Sequence, residues 1–233
     1  MRIKGALFDF SGTLFRIESV ASWLRAALDH RGAAMEQADL DRYTRRLTAA
    51  GALPGGPSPE RVPSELAPVW ASRDSSARHH REAYTGLARG VGLPDPGLCD
   101  ALYDRHMEPA AWEPYPDAAE VLGGLRDNGT AIGVVSNIGW DPRPVFRAHG
   151  LDELIDVYVL SYEHGVQKPD PRLFRTACTL LGHDPSDVVM VGDDRRADGG
   201  AVAVGCGVRF VDHLPVSERP DGLRALGLVG LTG

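Results

Sequence analysis

Lysine is nearly missing from this chain: of 25 basic side chains in 233 residues, only Lys4 and Lys168 are lysines. An arginine-favouring codon bias explains the scarcity, and against that background a retained lysine is a residue to follow. Cysteine is sparse as well. Cys99, Cys178 and Cys206 stand far apart with no CxxC or CxxxC spacing, which argues against a cysteine-built zinc site or a local redox pair. All three are expected to be buried or half-buried thiols without chemistry. No run of apolar residues approaches the length of a membrane span. The opening "MRIKGALFDF" has a basic start but lacks the long apolar stretch and small-residue cleavage site of a secretory signal, so the expected location is the cytoplasm. Positive charge is in deficit too: a formal net charge of -7 argues against a nucleic-acid surface. Internal repeats and low-complexity tracts are absent.

What is present is ordinary in bulk, with 43% hydrophobic and 24% charged residues, and long enough for an α/β domain with an insertion or for two small domains. Residues 3–9, "IKGALFD", read as a short buried strand ending on an acid. From about 16 to 112 the pattern is helical and polar. "SVASWLRAALDHRG" puts Val20, Trp23, Leu24, Ala27 and Leu28 on one face before Gly32. "EQADLDRYTRRLTAAG" repeats the pattern, "ALPGGPSPE" is a loop, and further helices are expected near 61–72, 76–90 and 96–107, with no strand in this region. From 113 the character changes. Strands "TAIGVVSN", "IDVYVLSY", "DVVMVGDD" and "GVRFVD" alternate with helices "PDAAEVLGGLRDNG", "DPRPVFRAHG", "DPRLFRTACTLLG" and "RRADGGAVAVG". Such alternation implies an α/β fold with a parallel sheet covered on both faces, and apolar runs such as "VVMVG" fit strands buried on both sides.

Parallel α/β sheets collect functional groups at the carboxyl ends of their strands. Those ends carry Asp9, then Ser136-Asn137, then Lys168 in "GVQKPDP", then Asp193-Asp194 with Asp198 one helical turn on. A carboxylate nucleophile, a hydroxyl with a cation for phosphate, and an acid cluster for a metal therefore converge. Each alone has a plain structural reading: a helix cap, a turn, a solvated lysine. Their order and spacing together point to one site.

The motifs "DFSGT", "VVSN", "GVQKPDP" and "GDDRRAD" resemble those of the haloacid dehalogenase superfamily, and the likeness covers almost the whole chain. The resemblance implies a Rossmann-like parallel sheet core (1–15 and 113–233) with an all-helical C1 cap inserted after the first strand (16–112). It implies a magnesium-dependent phosphatase working through an aspartyl-phosphate on Asp9. The Asp9 side chain, the Ser11 backbone carbonyl and Asp193 would hold Mg²⁺, a hard cation that prefers oxygen ligands. Thr13, Ser136 and the Asn137 backbone would contact the phosphoryl oxygens, and Lys168 would offset charge on both phosphoryl group and Asp9. Asp194 and Asp198 would take secondary roles, holding metal-bound water or orienting Lys168. The expected partner is a small phosphorylated metabolite, not a nucleic acid or a membrane, with the protein a monomer or homodimer.

Ser11 departs from the family pattern. Phosphatases of this type usually carry a second aspartate there, which protonates the leaving group and then activates water. Such general acid–base help is worth roughly 10²–10⁴-fold, and a hydroxyl cannot give it near neutral pH. On sequence alone, restoring the acid with Ser11→Asp should raise turnover at least about tenfold. One alternative is an acid relocated to Glu18, Asp74, His79 or His80. Others are a 2-haloacid dehalogenase, which needs neither that acid nor a metal but usually has tyrosine at this position, and a non-catalytic member that binds a phosphorylated ligand or partner. A phosphonate-cleaving relative would need a lysine in the cap, and neither lysine lies there. The cap's Trp23, Arg25, Tyr43, Trp70, Tyr84 and Tyr103 are not assigned to a ligand, since aromatics at helical spacing usually belong to the core.

Overall fold

A computed structural model describes residues 3–231 of the chain; residues 1, 2, 232 and 233, which the expected core range includes, lie outside the described residues. The chain opens on strand β1 (Gly5–Phe8), followed closely by a three-residue strand β2 (Phe15–Ile17). Helices α1 (Val20–His30), α2 (Gln37–Ala50), α3 (Ala67–Ala71), α4 (Ala77–Gly90) and α5 (Leu98–His106) come next, and then strand β3 (Trp112–Pro114). The remaining elements alternate: α6 (Ala118–Asp127), β4 (Ala131–Ser136), α7 (Arg143–Ala148), β5 (Val157–Leu160), the short α8 (Ser161–His164), α9 (Pro171–Leu181), β6 (Val188–Gly192) and β7 (Gly207–Phe210).

β1, β4, β5, β6 and β7 form one parallel sheet in the order β5-β4-β1-β6-β7. β1 and β6 are buried along their whole length, as strands covered on both faces must be. Alternation assigns their side chains to two cores: Phe8 and Val191 face one together with Val134, while Leu7 and Met190 face the other together with Phe174 and Cys178 of α9. All three cysteines are buried and free. The chain runs from β1 outward through β4 and β5, then crosses back to β6 and β7 on the far side of β1. The tips of β4, β1 and β6 thus border the reversal point where ligands of open α/β sheets bind.

Two local features differ from the sequence reading. The helical stretch expected over 61–72 is reduced to α3, because Pro63 and Pro68 confine helix to what can begin around the second proline. "RRADGGAVAVG" forms not an α-helix but a 3₁₀ segment, Asp198–Val204, in which Gly199 and Gly200 weaken helix propensity. A third feature overturns the expectation of no strand over 16–112: β2 lies at its start and pairs antiparallel with β3, Phe15 with Pro114 and Ile17 with Trp112. Both ends of the helical insertion therefore pass through one ribbon, and the expected boundaries at 15/16 and 112/113 fall inside it. Ser19 and Ser76 cap α1 and α4 through side-chain oxygens that accept from Ser22 N and His79 N. Among the described residues no helix is long and apolar enough to cross a membrane.

Candidate active site

Asp9 follows β1 directly, and its position is set from behind by aromatic packing. The Phe10 ring meets Phe15, Trp112, Trp140 and Phe146 at centroid distances of 4.5–5.9 Å. That cluster locks the residue after the acid into the core and leaves Asp9 facing a cavity of about 210 Å³. Ser11, Ser136, Asn137, Lys168, Asp193 and Asp194 line the same cavity, and the cap contributes Trp70, Arg73, Asp74, His80, Tyr84 and the 51–59 loop.

Lys168 is the hub. Its Nζ donates to Asp9 Oδ1 at 2.8 Å, to Asp198 Oδ1 at 2.5 Å and to the Val135 carbonyl at 2.9 Å, so all three ammonium protons are used. Burial disfavours its charge, yet Asp198 and Asp9 outweigh that and hold the ammonium firmly protonated. Asp198 is wholly buried and fully engaged, its second oxygen accepting from Asp194 N at 3.0 Å. Asp9 is pushed the other way: burial raises its carboxyl, Lys168 pulls it back, and nearby Asp198 and Asp193 add to the rise, leaving it at about 7.

The expected roles are distributed unevenly by the geometry. Ser136 lines the cavity at the tip of β4. Asn137 also lines the cavity, and its side chain braces the lysine loop, accepting from Lys168 N at 2.6 Å and donating to Lys168 O at 3.0 Å. Thr13, expected at the phosphate, is completely buried and does not line the cavity; its Oγ1 donates to Asp193 Oδ1 at 3.4 Å. Asp194, expected as a secondary metal ligand, caps the following turn, accepting from Arg196 N and Ala197 N at 2.8 and 2.9 Å. Of the four substitute acids, Glu18 is tied to Arg105 at 2.7 Å, and His79 lies among Ser72, Ser75 and Ser76. Only Asp74 and His80 reach the cavity. Among the cap aromatics, Trp70 and Tyr84 line it as well, whereas Trp23, Tyr43 and Tyr103 are core.

Two residues have no signal in the motifs. His213 lies beyond β7 and places Nδ1 at 2.5 Å from Asp193 Oδ2, which keeps that carboxyl below its ordinary range against the effect of burial. Arg219, buried near the C-terminus, donates to the Gly12, Asp212 and Thr13 carbonyls and lies over the Tyr115 ring. It thereby holds the loop that carries Ser11.

The carboxylates of Asp9, Asp193 and Asp198 present oxygens within 4.8 Å of one another. Three carboxylates crowd around the single Lys168 ammonium, and Asp9 is raised by its acidic neighbours as well as by burial, a repulsion that a divalent cation would relieve. The donors are all hard oxygens, as Mg²⁺ requires, and because Asp9 and Asp193 line the cavity while Asp198 is turned to Lys168 and Asp194 N, Asp9 and Asp193 are the residues that fit it.

Residues 3–204 match the haloacid dehalogenase-like hydrolase family. The chain is 30% identical to (S)-2-haloacid dehalogenase 4A of Burkholderia cepacia, over 85% of its own length and 78% of the relative's. It is 35% identical to a phosphoserine phosphatase of Thermus thermophilus over 68% of each chain. A solved dehalogenase structure superposes with a TM-score of 0.63 at 26% identity, covering 88% of this chain and 83% of the other. The chain belongs to the haloacid dehalogenase-like hydrolases.

Proposed function

We propose that this haloacid dehalogenase-like hydrolase is a Mg²⁺-dependent phosphatase that acts on a small phosphorylated metabolite through a phosphoryl group carried on Asp9. The observation that carries this reading is the acid set itself: Asp9 and Asp193 converge with Asp198, more carboxylates than the one Lys168 ammonium offsets. Hydrolytic dehalogenation expels a halide without needing a metal, so it gives no reason to gather acids here. A bound Mg²⁺ would supply charge neutralisation between Asp9 and the phosphoryl oxygens. Asp9 attacks phosphorus, Lys168 holds the attacking carboxylate in register, and Ser136 offers its hydroxyl to a phosphoryl oxygen. The reading places the enzyme in the cytoplasm as a monomer or homodimer.

A second reading, a 2-haloacid dehalogenase, is favoured by the 30% identical relative. One comparison separates them: purified protein with p-nitrophenyl phosphate or with 2-chloropropionate, each with Mg²⁺ and with excess EDTA. Phosphatase turnover that needs Mg²⁺ and disappears in Asp9→Asn is the expected result. Chloride release in EDTA without phosphatase turnover would establish the dehalogenase instead, and neither activity would leave a non-catalytic binding role.

A further inference from the structure

Ser11 cannot move a proton, so a hydrolase built on Asp9 needs another group to do so. The cavity offers one on its opposite wall. Asp74 belongs to the 3₁₀ turn Arg73–Ser75 of the cap and is 4% exposed, yet no hydrogen bond reaches its carboxylate oxygens among the described residues. Its nearest polar neighbours are Arg73 Nε at 3.5 Å and His80 Nε2 at 3.8 Å. Burial holds its carboxyl above the ordinary range, against the pull of Arg73 and Lys168. A buried carboxyl that accepts no hydrogen bond, is held only by the longer Arg73 and His80 contacts and faces a ligand cavity is suited to carry a transferable proton.

The turn is fixed to the core on both sides. Asp74 N donates to Gln167 Oε1 at 2.7 Å, and Asp74 O accepts from Ser161 Oγ at 2.5 Å. Gln167 precedes Lys168, and Ser161 Oγ also accepts from Ile138 N at 2.9 Å, just past Ser136-Asn137. The cap acid is therefore registered against the same two segments that would hold a phosphoryl group. His80 orients it from behind. Burial disfavours protonation of this imidazole, and its Nδ1 lies 2.7 Å from Tyr103 Oη, a contact that fixes the ring with Nε2 3.8 Å from Asp74 Oδ1. A Cβ on Gly139 would collide with His80 Cβ, so the β4–α7 loop can meet the cap at this point only because it has no side chain.

We propose that Asp74 is the general acid and base of this site, with His80 as its positioning residue. The inference rests on the phosphatase reading proposed for Asp9. In the first step an Asp9 oxygen bonds to phosphorus, the bond from phosphorus to the leaving oxygen breaks, and that oxygen takes its proton from the Asp74 carboxyl. In the second step water attacks phosphorus and gives a proton to the Asp74 carboxylate. The bond between Asp9 and phosphorus then breaks with its electron pair returning to Asp9, and inorganic phosphate departs with Asp74 protonated again.

The test compares native protein, Asp74→Asn, His80→Leu, His80→Gln and Asp9→Asn with Mg²⁺ on p-nitrophenyl phosphate and phenyl phosphate, the latter having the poorer leaving group. Asp74→Asn should lower kcat on phenyl phosphate about 10²-fold or more. On p-nitrophenyl phosphate it should give a burst of nitrophenol and an accumulating phosphoryl adduct by intact mass, since water attack lacks its base. His80→Leu should lower kcat with KM unchanged, and His80→Gln, which keeps a donor, should restore most of it. Native kcat in Asp74→Asn with no adduct would overturn the assignment while leaving the hydrolytic reading intact. Native turnover that survives Asp9→Asn would overturn both.

Discussion

Arg219 offers the most demanding test of how this site is held, because it lies beyond the stretch matched to the family and acts on the catalytic loop only through main-chain carbonyls. Its Nη1 donates to Gly12 O at 2.6 Å and Asp212 O at 3.0 Å, and its Nη2 to Thr13 O at 2.5 Å, with Nε left unpartnered. In Arg219→Met the side chain keeps its length and its packing on Tyr115 but leaves three carbonyls without this donor. A buried acceptor without a partner costs about 1–3 kcal/mol, and removing the guanidinium relieves its own burial, which already draws it below its ordinary pKa. The net expectation is a loss of about 2–4 kcal/mol. At about 2–4 °C per kcal/mol for a chain of this size, the melting temperature should fall by roughly 4–16 °C. Arg219→Lys, with one compact ammonium in place of a planar fork, should recover part of that loss. Urea unfolding and thermal melts measure the stability, and kcat on p-nitrophenyl phosphate at a temperature where both proteins are folded reports the loop. An unchanged melt together with unchanged kcat in Arg219→Met would refute the clamp.

Asp198→Asn removes the shorter of the two carboxylate partners of Lys168 and should lower kcat about 10–100-fold, the scale seen when a carboxylate that orients a reacting group is lost; undiminished kcat would mean Asp9 alone positions the lysine. Acid stability should follow the cap histidines. Burial holds His80 far below 6.5 and His106 at about 3, so below pH 6.5 the unfolded chain binds protons that the folded chain does not, and stability falls as pH falls. For His106, between pH 8 and 5, this amounts to about 2 kcal/mol, and His80 adds to it in the same sense. The raised Asp9, Asp74 and Asp198 carboxyls work in the opposite sense, so the measurement compares urea unfolding of native protein and His80→Leu across pH 5–8, where a loss of stability toward low pH as steep in the variant as in native protein would contradict the assignment.

The fold was legible in the sequence wherever burial imposed a simple pattern. "GALF" and "VVMVG" are apolar without alternation because both faces of β1 and β6 are covered, and α1 buries the five residues its periodicity selects. Legibility failed where structure rests on pairing rather than pattern. β2 and β3 are three residues each and lie far apart in the chain, so neither carries a strand signal by itself. In the site, Asp9, Ser11, Ser136, Asn137, Lys168, Asp193 and Asp194 do line one cavity, but the partners of the motif residues were not always those expected. Thr13 has the right chemistry for phosphate, yet its hydroxyl serves Asp193, and the Asn137 side chain has a further task in bracing the Lys168 backbone. Arg219 was invisible because it recognises main-chain carbonyls, which leave no mark on the residues they belong to.

The substitution Ser11→Asp is where sequence and structure lead to opposite expectations. From the motif alone, restoring the acid should raise turnover. In the folded protein the cap loop runs directly over the serine, since a Cβ on Gly55 would stand 2.7 Å from Ser11 Oγ and 2.8 Å from the Trp112 ring. A longer carboxylate would press on that loop and would add another negative charge beside Asp9, Asp193 and Asp198. If Asp74 already carries the proton, the new acid also has no vacant task. The expected result is therefore kcat at or below native on phenyl phosphate, with no recovery when Ser11→Asp is combined with Asp74→Asn. A gain of about tenfold or more in the single variant, the scale of acid catalysis regained, would show that the loop yields and that the serine is a true deficiency. It would thereby refute Asp74 as the acid and base of the site.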